Sequence, residues 1–345
     1  MINSYSYYSS DADKLNEFVL AFFNRIEFET SDFSNDFFEK DFYDNLVSRH
    51  TGILLIAFKD IYKITKVWTQ GERTTLCNAI RNSNEIEEIC LGNINPTKES
   101  EITDPIKPII VTLFKKLYKD VLFGEFFVPH YGNRKTHYHN FLRFKTNGYE
   151  WCPSCGIRPM HKFTEEITDQ YDHYLPKDIY PFSSVNFKNL IPICSDCNSL
   201  QVKSNNDVLN HTGKVFYPFE DRHKPIKINV SISINDVDLE KIEWSVNHIC
   251  EVGKEDELIA WKAIYKIDNR HKNYCKGNFI SWYKKFYEDF SDSDTIQDNP
   301  DAAIRTRNYL RIKKKSNLFE FQCLNSFLQK NTIKAIEVSR LSSRY

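Results

Sequence analysis

Apolar positions in the first 128 residues recur mainly at helical spacing. Leu15, Phe18, Val19 and Phe22 follow Ser10-Asp11-Ala12-Asp13, where a carboxylate stands in capping position, so a helix is predicted to start there. A second aromatic-rich segment, 33–47, is expected to pack on it. Residues 54–68 are apolar and β-branched in places, so helix and strand both fit. Residues 91–104 are polar and read as a loop. Asp104-Pro105 then opens a helix with Ile109, Leu113, Phe114, Leu117 and Val121 on one face. The period changes late in the chain. Ile226, Ile228, Val230, Ile232 and Ile234 alternate strictly, as in a half-buried strand, and Ile242 to Val246 can pair with them across an acidic turn around Asp236. Glu257 to Tyr274 reads as one amphipathic helix with Leu258, Trp261, Ile264 and Tyr265 inward. An acidic loop from Ser291 to Asp301 and a basic run (Arg305, Arg307, Arg311, Lys313 to Lys315) precede a final apolar helix. The predicted class is α+β, mostly helical. Three parts are expected: an N-terminal helical domain (1–128), a central module (129–224) and a C-terminal α+β region (225–345).

The central module is identified by its chemistry. Between Trp151 and Asn205 stand two Cys-x-x-Cys pairs, Cys152/Cys155 and Cys194/Cys197, with Asp172-His173 between them and Asn189 and Asn198 on either side of the second pair. Each pair places two thiols on one tight turn, which suits two adjacent corners of a zinc tetrahedron, and two such turns complete a closed structural site. Four unrelated buried thiols, or a redox Cys-x-x-Cys, are the competing readings.

The order D-H-x-L-P-K, Y-P, N-L-x-P-x-C-x-x-C-N and a following lysine resembles the HNH (ββα-metal) endonucleases in their zinc-stapled form. The resemblance covers about residues 149–205 and extends to Asp221 at most. It departs from the pattern at two points: the third signature position is Asn198 rather than His, and the Lys-Gly often found after the motif appears as Gln201-Val202-Lys203-Ser204. The wording DHYLPK…YP…NLIPICSDCN, followed by the aromatic-Pro-aromatic-acid segment 215–221, is similar to HNH subunits of bacterial antiviral defence systems, the Septu type among them. In those the nuclease acts beside an ATPase subunit. The resemblance therefore implies a zinc-stapled ββα module, phosphodiester hydrolysis, most readily of DNA, and an ATPase partner.

The residue types suit that chemistry. Hydrolysis of a phosphodiester needs an activated water, counter-charge for the developing phosphorane and help for the leaving oxygen. His173 is the candidate base, since imidazole titrates near neutrality. Asp172 and Asn198 offer hard oxygen ligands to a catalytic Mg2+ or Mn2+. Asn189 is expected to pin the loop and orient His173. Lys203 is the candidate contact to a non-scissile phosphate. Adjacent residues on a regular strand face opposite ways, so Asp172 and His173 can share a site only where the strand ends, twists or bulges; Pro176 fits such an ending. A helix after the second knuckle is expected to bring Asn198 across. Two non-hydrolytic alternatives remain: a zinc-stapled nucleic-acid-binding subunit, and an interaction subunit whose nuclease is latent until an ATPase docks.

Composition narrows the picture only a little. The chain has 345 residues, 41% hydrophobic, with 26 Phe and 19 Tyr, enough for large cores. Nine cysteines, an odd number, fit a reducing cytoplasm better than a disulfide framework. The N-terminal residues lack a secretory pattern, and no apolar run is long enough to span a bilayer. The net charge of −1 gives no general attraction to nucleic acid, and the central module carries only a small basic excess. A focused patch or a delivering partner would make up the difference. His130, His137 and His139 lie in a basic, aromatic stretch and are expected at a solvated surface or along a substrate groove; His161 and His211 show no partner pattern.

Overall fold

The computed structural model describes residues 2, 4–145, 151–161, 168–219, 226–234, 242–288 and 300–330. The chain forms two compact units. One is Met1–Pro225 with Gly253–Tyr265, the other Ile226–Val252 with Lys266–Tyr345. The class is α+β and mostly helical. Among the described residues, no helix is long and apolar enough to cross a membrane.

The first unit begins with helices. Ser10 and Asp13 form a reciprocal capping box that leads into α1 (Lys14–Phe28), whose Leu15, Phe18, Val19, Phe22, Phe23 and Ile26 are buried. A short turn of helix, α2 (Lys40–Phe42), follows. The ambiguous stretch 54–68 folds as helix, α3 (Ile56–Thr65), burying Phe58, Ile61 and Tyr62 at helical spacing. Thr69 and Glu72 make the capping box of α4 (Gln70–Asn82), and α5 (Ile86–Cys90) is one further turn. Next comes α6 (Lys107–Lys116), continuing as a π-helical turn, Leu117–Val121. The inward face here is Ile106, Ile110, Leu113, Phe114, Leu117 and Val121; Ile109, expected on it, is only partly buried. Helices α7 (Val128–Tyr131) and α8 (Arg134–Lys145) complete the set.

A two-stranded antiparallel hairpin then forms from β1 (Gln170–His173) and β2 (Leu190–Ile193), with Asp172 opposite Ile191 and His173 opposite Leu190. It does not stand apart from the helices. Tyr171, Phe182, Val185, Phe187 and Leu190 belong to the same buried cluster as Phe22, Phe58 and Phe114. Polar ties reinforce it: Ser184 Oγ donates to Phe114 O at 3.0 Å, and Asn84 Nδ2 to Phe182 O at 3.1 Å. Residue 128 is therefore not a break in packing. The apolar faces of the short β1–β2 loop are too small to make a core alone, so they share that of the helices.

Both ends of this unit brace the first cysteine turn. Ile2 N donates to Pro153 O at 2.9 Å, and Trp261 Nε1 to Ser154 O at 2.7 Å. Trp261 lies on α9 (Glu255–Ile264), which buries Glu257, Ala260, Trp261 and Ile264. The single helix expected over 257–274 is in fact two. Lys266 adopts φ 51°, in the left-handed region, and the chain restarts as α10 (Ile267–Glu288).

The second unit pairs β3 (Lys227–Ile234) with β4 (Ile242–Ile249), Val230 opposite Val246. Ile228, Val230 and Ile232 are buried, as their alternation predicts. The helices α10, α11 (Pro300–Ser316) and α12 (Leu318–Lys330) supply the covering layer, with Ile232 N donating to Ser326 Oγ at 3.1 Å. The turn expected around Asp236 and most of the acidic loop from Ser291 lie outside the described residues.

Candidate metal centre and the Asp172–His173 strand end

The two Cys-x-x-Cys turns meet. Cys152 Sγ lies 3.9 Å from Cys197 Sγ and Cys155 Sγ 3.9 Å from Cys194 Sγ, and all four sulfurs lie within 4.8 Å of one another. No disulfide joins them. A tetrahedron with a zinc–sulfur bond of about 2.3 Å has an edge of about 3.8 Å, so these separations fit four thiolates around one ion. Burial is complete or nearly so. It pushes the Cys152 and Cys197 thiols well up, and the neighbouring thiols add to the shift for Cys152. Four anions cannot be held here without a cation, whereas a soft divalent metal displaces the protons and neutralises the cluster. Four buried cysteines so placed can hold a metal such as zinc. Backbone turns shape the site: Gly156 N donates to Cys152 O at 2.7 Å and Asn198 N to Cys194 O at 3.1 Å. Gly156 takes φ 64°, which lets the first turn close.

Asp172 and His173 stand at the end of β1. Regular pairing stops at His173, as Pro176 suggested, and Tyr174 N then donates to Asn189 O at 2.9 Å. Asn189 is wholly buried. Its Oδ1 accepts from Leu175 N at 2.7 Å, while Nδ2 donates to Leu175 O at 3.0 Å and Ser183 O at 3.2 Å. It thus ties the strand end to the 183–184 loop.

That loop positions His173. Nε2 lies 2.9 Å from Ser184 O. A carbonyl only accepts, so Nε2 carries the proton and the neutral ring has its lone pair on Nδ1. Tyr118, delivered by the π-helical turn after α6, packs edge-on against the ring at 4.3 Å. Burial, opposed by the Ser184 bond, lowers the imidazole to about 3, so it is neutral at pH 7. Neither the Ser184 carbonyl nor Tyr118 could be found from the sequence, since a backbone acceptor leaves no residue signature and Tyr118 lies far from the motif.

Asp172 is buried and engaged elsewhere. Lys203 Nζ donates to its Oδ1 at 3.0 Å and lies 2.9 Å from Oδ2, which accepts no aligned hydrogen bond. The same ammonium donates to His173 O at 2.7 Å. Burial raises the Asp172 carboxyl, and Lys203 opposes that shift. Asp172 in turn adds to the burial that pushes the Tyr265 phenol up.

Several expectations change. Lys203 is 0% exposed, so its ammonium is turned away from any phosphate at the surface. Asn198 donates through Nδ2 to Gln170 Oε1 at 2.7 Å, two residues along β1 from Asp172, rather than joining Asp172 in a ligand pair. The expected helix after the second knuckle does not form. Residues 196–205 are a succession of turns, with Val202 N donating to Ser199 O at 3.1 Å and Lys203 N to Cys197 O at 3.3 Å. Pulling Lys203 inward diverts the backbone, and Ser204 takes φ 45°. In this arrangement Asp172 is engaged by Lys203 and the Asn198 amide by Gln170.

The surrounding histidines also sort differently. His137 is buried, with Nδ1 2.5 Å from Tyr171 Oη and its ring against Phe187 at 4.5 Å; it is core rather than solvated surface. His130 and His211 are exposed, and His139 and His161 partly so. On α8, Arg134 and Lys135 remain exposed, with Arg134 Nη2 3.5 Å from Asp169 O. No family model, curated protein or solved structure matches this chain.

Proposed function

We propose that residues 151–205 form the hydrolytic module of an HNH-type endonuclease that cleaves phosphodiester bonds, most readily in DNA. The four cysteines hold a structural zinc ion, and a Mg2+ or Mn2+ ion is the expected catalytic cofactor. One observation carries the reading: His173 stands where β1 ends, with Nε2–H given to the Ser184 carbonyl and Nδ1 left as the ring's acceptor. A neutral imidazole of fixed tautomer can take a proton from water, and since burial lowers this ring to about 3, it becomes an effective base at pH 7 only when solvent reaches it. Asn189 acts through the loop that carries Ser184, so it positions the base without touching substrate. The order of motifs in the sequence supplies the rest of the support, including a role in antiphage defence beside an ATPase.

A second reading has its own observation. Asp172 is closed by Lys203 and Asn198 is held by Gln170, which favours a zinc-stapled binding or interaction subunit whose nuclease is absent, or latent until a partner docks. Purified chain with Mg2+ or Mn2+, incubated with supercoiled plasmid and with RNA, alone and with its ATPase partner, separates the two. Cleavage that falls at least about a hundredfold in His173→Ala supports the nuclease. Cleavage undiminished in that variant, or absent under all conditions, removes it.

A further inference from the structure

We propose that Lys203 is the resident cation of the Asp172 carboxylate, an internal occupant that a divalent ion has to displace before it can bind there. The proposal deepens the nuclease reading and rests on it for the identity of the incoming ion.

The geometry is that of an occupied cation site. Lys203 Nζ reaches both carboxylate oxygens, at 3.0 and 2.9 Å, and takes the His173 carbonyl as a third oxygen at 2.7 Å. Three oxygens converging on one positive centre are a partial coordination shell of the kind hard cations use, here filled by an ammonium. Lysine and carboxylate are 0% and 4% exposed, so water supplies little of the counter-charge and an ion cannot simply add to the pair. Coulomb repulsion between Nζ and a divalent ion sharing the same two oxygens is too strong for both to remain.

The lysine is also placed where it can leave. It sits on the turns that replace the expected helix, and the next residue, Ser204, holds a left-handed φ of 45° that a serine adopts only when its surroundings impose it. The stretch is held by bonds that do not use the lysine side chain: Lys203 N to Cys197 O at 3.3 Å, Ser204 N to Ser199 O at 3.1 Å, Asn206 N to Lys203 O at 2.9 Å and Asn205 Nδ2 to Asp178 Oδ2 at 3.1 Å, so the ammonium can withdraw without breaking them. Leu200, nearby, is 90% exposed and anchors nothing. Withdrawal of the side chain frees the carboxylate. By contrast, the opposite wall is fixed, because Asn189 and the strand pairing hold Asp172 and His173 in place.

Two measurements on the full chain test this. The first compares Mn2+ affinity, followed by electron paramagnetic resonance, in the wild type, Lys203→Met, Lys203→Gln and Asp172→Asn/Lys203→Met, with zinc content and a cooperative melt verifying the fold of each. Removing the resident cation should tighten Mn2+ binding by at least about tenfold, and the double substitution should abolish the gain. Equal affinity in wild type and both single variants overturns the proposal, as does a gain that survives loss of the carboxylate. The second needs no variant. Reductive methylation read by mass spectrometry should leave Lys203 protected in the zinc-loaded, Mn2+-free protein and modified once saturating Mn2+ is added. Lys203 that stays protected while Mn2+ binds at Asp172 overturns the proposal. Plasmid cleavage is scored separately: tighter Mn2+ binding in Lys203→Met with no cleavage by any variant keeps the displaced lysine and removes the nuclease, whereas wild-type cleavage with unchanged affinity does the reverse.

Discussion

The two polar sites of the β1–β2 hairpin are equally buried and have opposite needs. At one end four buried thiols face each other, and the nearby Arg158 guanidinium is bonded to Asp196. At the other a carboxylate carries an ammonium 2.9 Å away. Buried charge is tolerated only when paired, so the first site demands an ion from outside and the second has already supplied one from its own chain. Burial alone therefore does not mark a metal site; the balance of donors and cations within it does.

The largest effect expected from this contrast lies at the thiol end. Chelation, or Cys152→Ser or Cys194→Ser, should release about one equivalent of zinc and cost on the order of 10 kcal/mol of folding free energy locally, because metal binding and folding are coupled. Loss of the cooperative melt of the first unit, read with metal analysis, is the expected result. Unchanged melting after complete chelation would show that the thiols pack as plain apolar groups.

The carboxylate end should respond less to the environment and more to its partner. Asp172→Ala strands the Lys203 ammonium and should destabilise by about 3–5 kcal/mol, while Asp172→Asn combined with Lys203→Met should recover most of that loss. Urea denaturation of the three proteins measures it. If the double variant is no more stable than Asp172→Ala, the pair is not the closed unit its distances describe.

A smaller effect comes from a buried group that neither site uses. His137 is lowered from 6.5 to about 4 by burial among Tyr8, Phe123, Tyr171 and Phe187. The unfolded chain therefore binds a proton that the folded chain does not between these values. Its contribution is complete above about pH 6.5 and is lost as pH falls towards 4, by about 3 kcal/mol in all. As pH falls from 6.5 to 4, the wild type should lose melting temperature relative to His137→Phe, so that the two curves lie in their neutral-pH relation above this window and separate below it. A parallel pair of curves would place the acid sensitivity elsewhere.

Much of the helical half was legible. The capping box at Ser10 and Asp13 and the apolar spacing after it anticipate α1, and strict alternation from Ile226 anticipates β3, because these patterns are set by local periods of 3.6 and 2. Less was legible where two periods compete. Residues 54–68 carry both helix and strand signals, and only packing of Phe58 and Ile61 into the shared core makes them α3. The break at Lys266 is another tertiary decision: nothing in the spacing of Trp261, Ile264 and Tyr265 announces a left-handed residue after them.

At the candidate site the division is sharper. Residue types and spacing by themselves determined that each Cys-x-x-Cys turn would offer two adjacent thiols, and Pro176 that a strand could end just after Asp172-His173, since both follow from short-range geometry. Which atoms those side chains meet was decided by the tertiary structure alone. Ser184, eleven residues on, chooses the imidazole tautomer, and Lys203, thirty-one residues on, claims the carboxylate. Contacts of that kind depend on how the loop and the turns fold back over the hairpin, and no period along the chain encodes them.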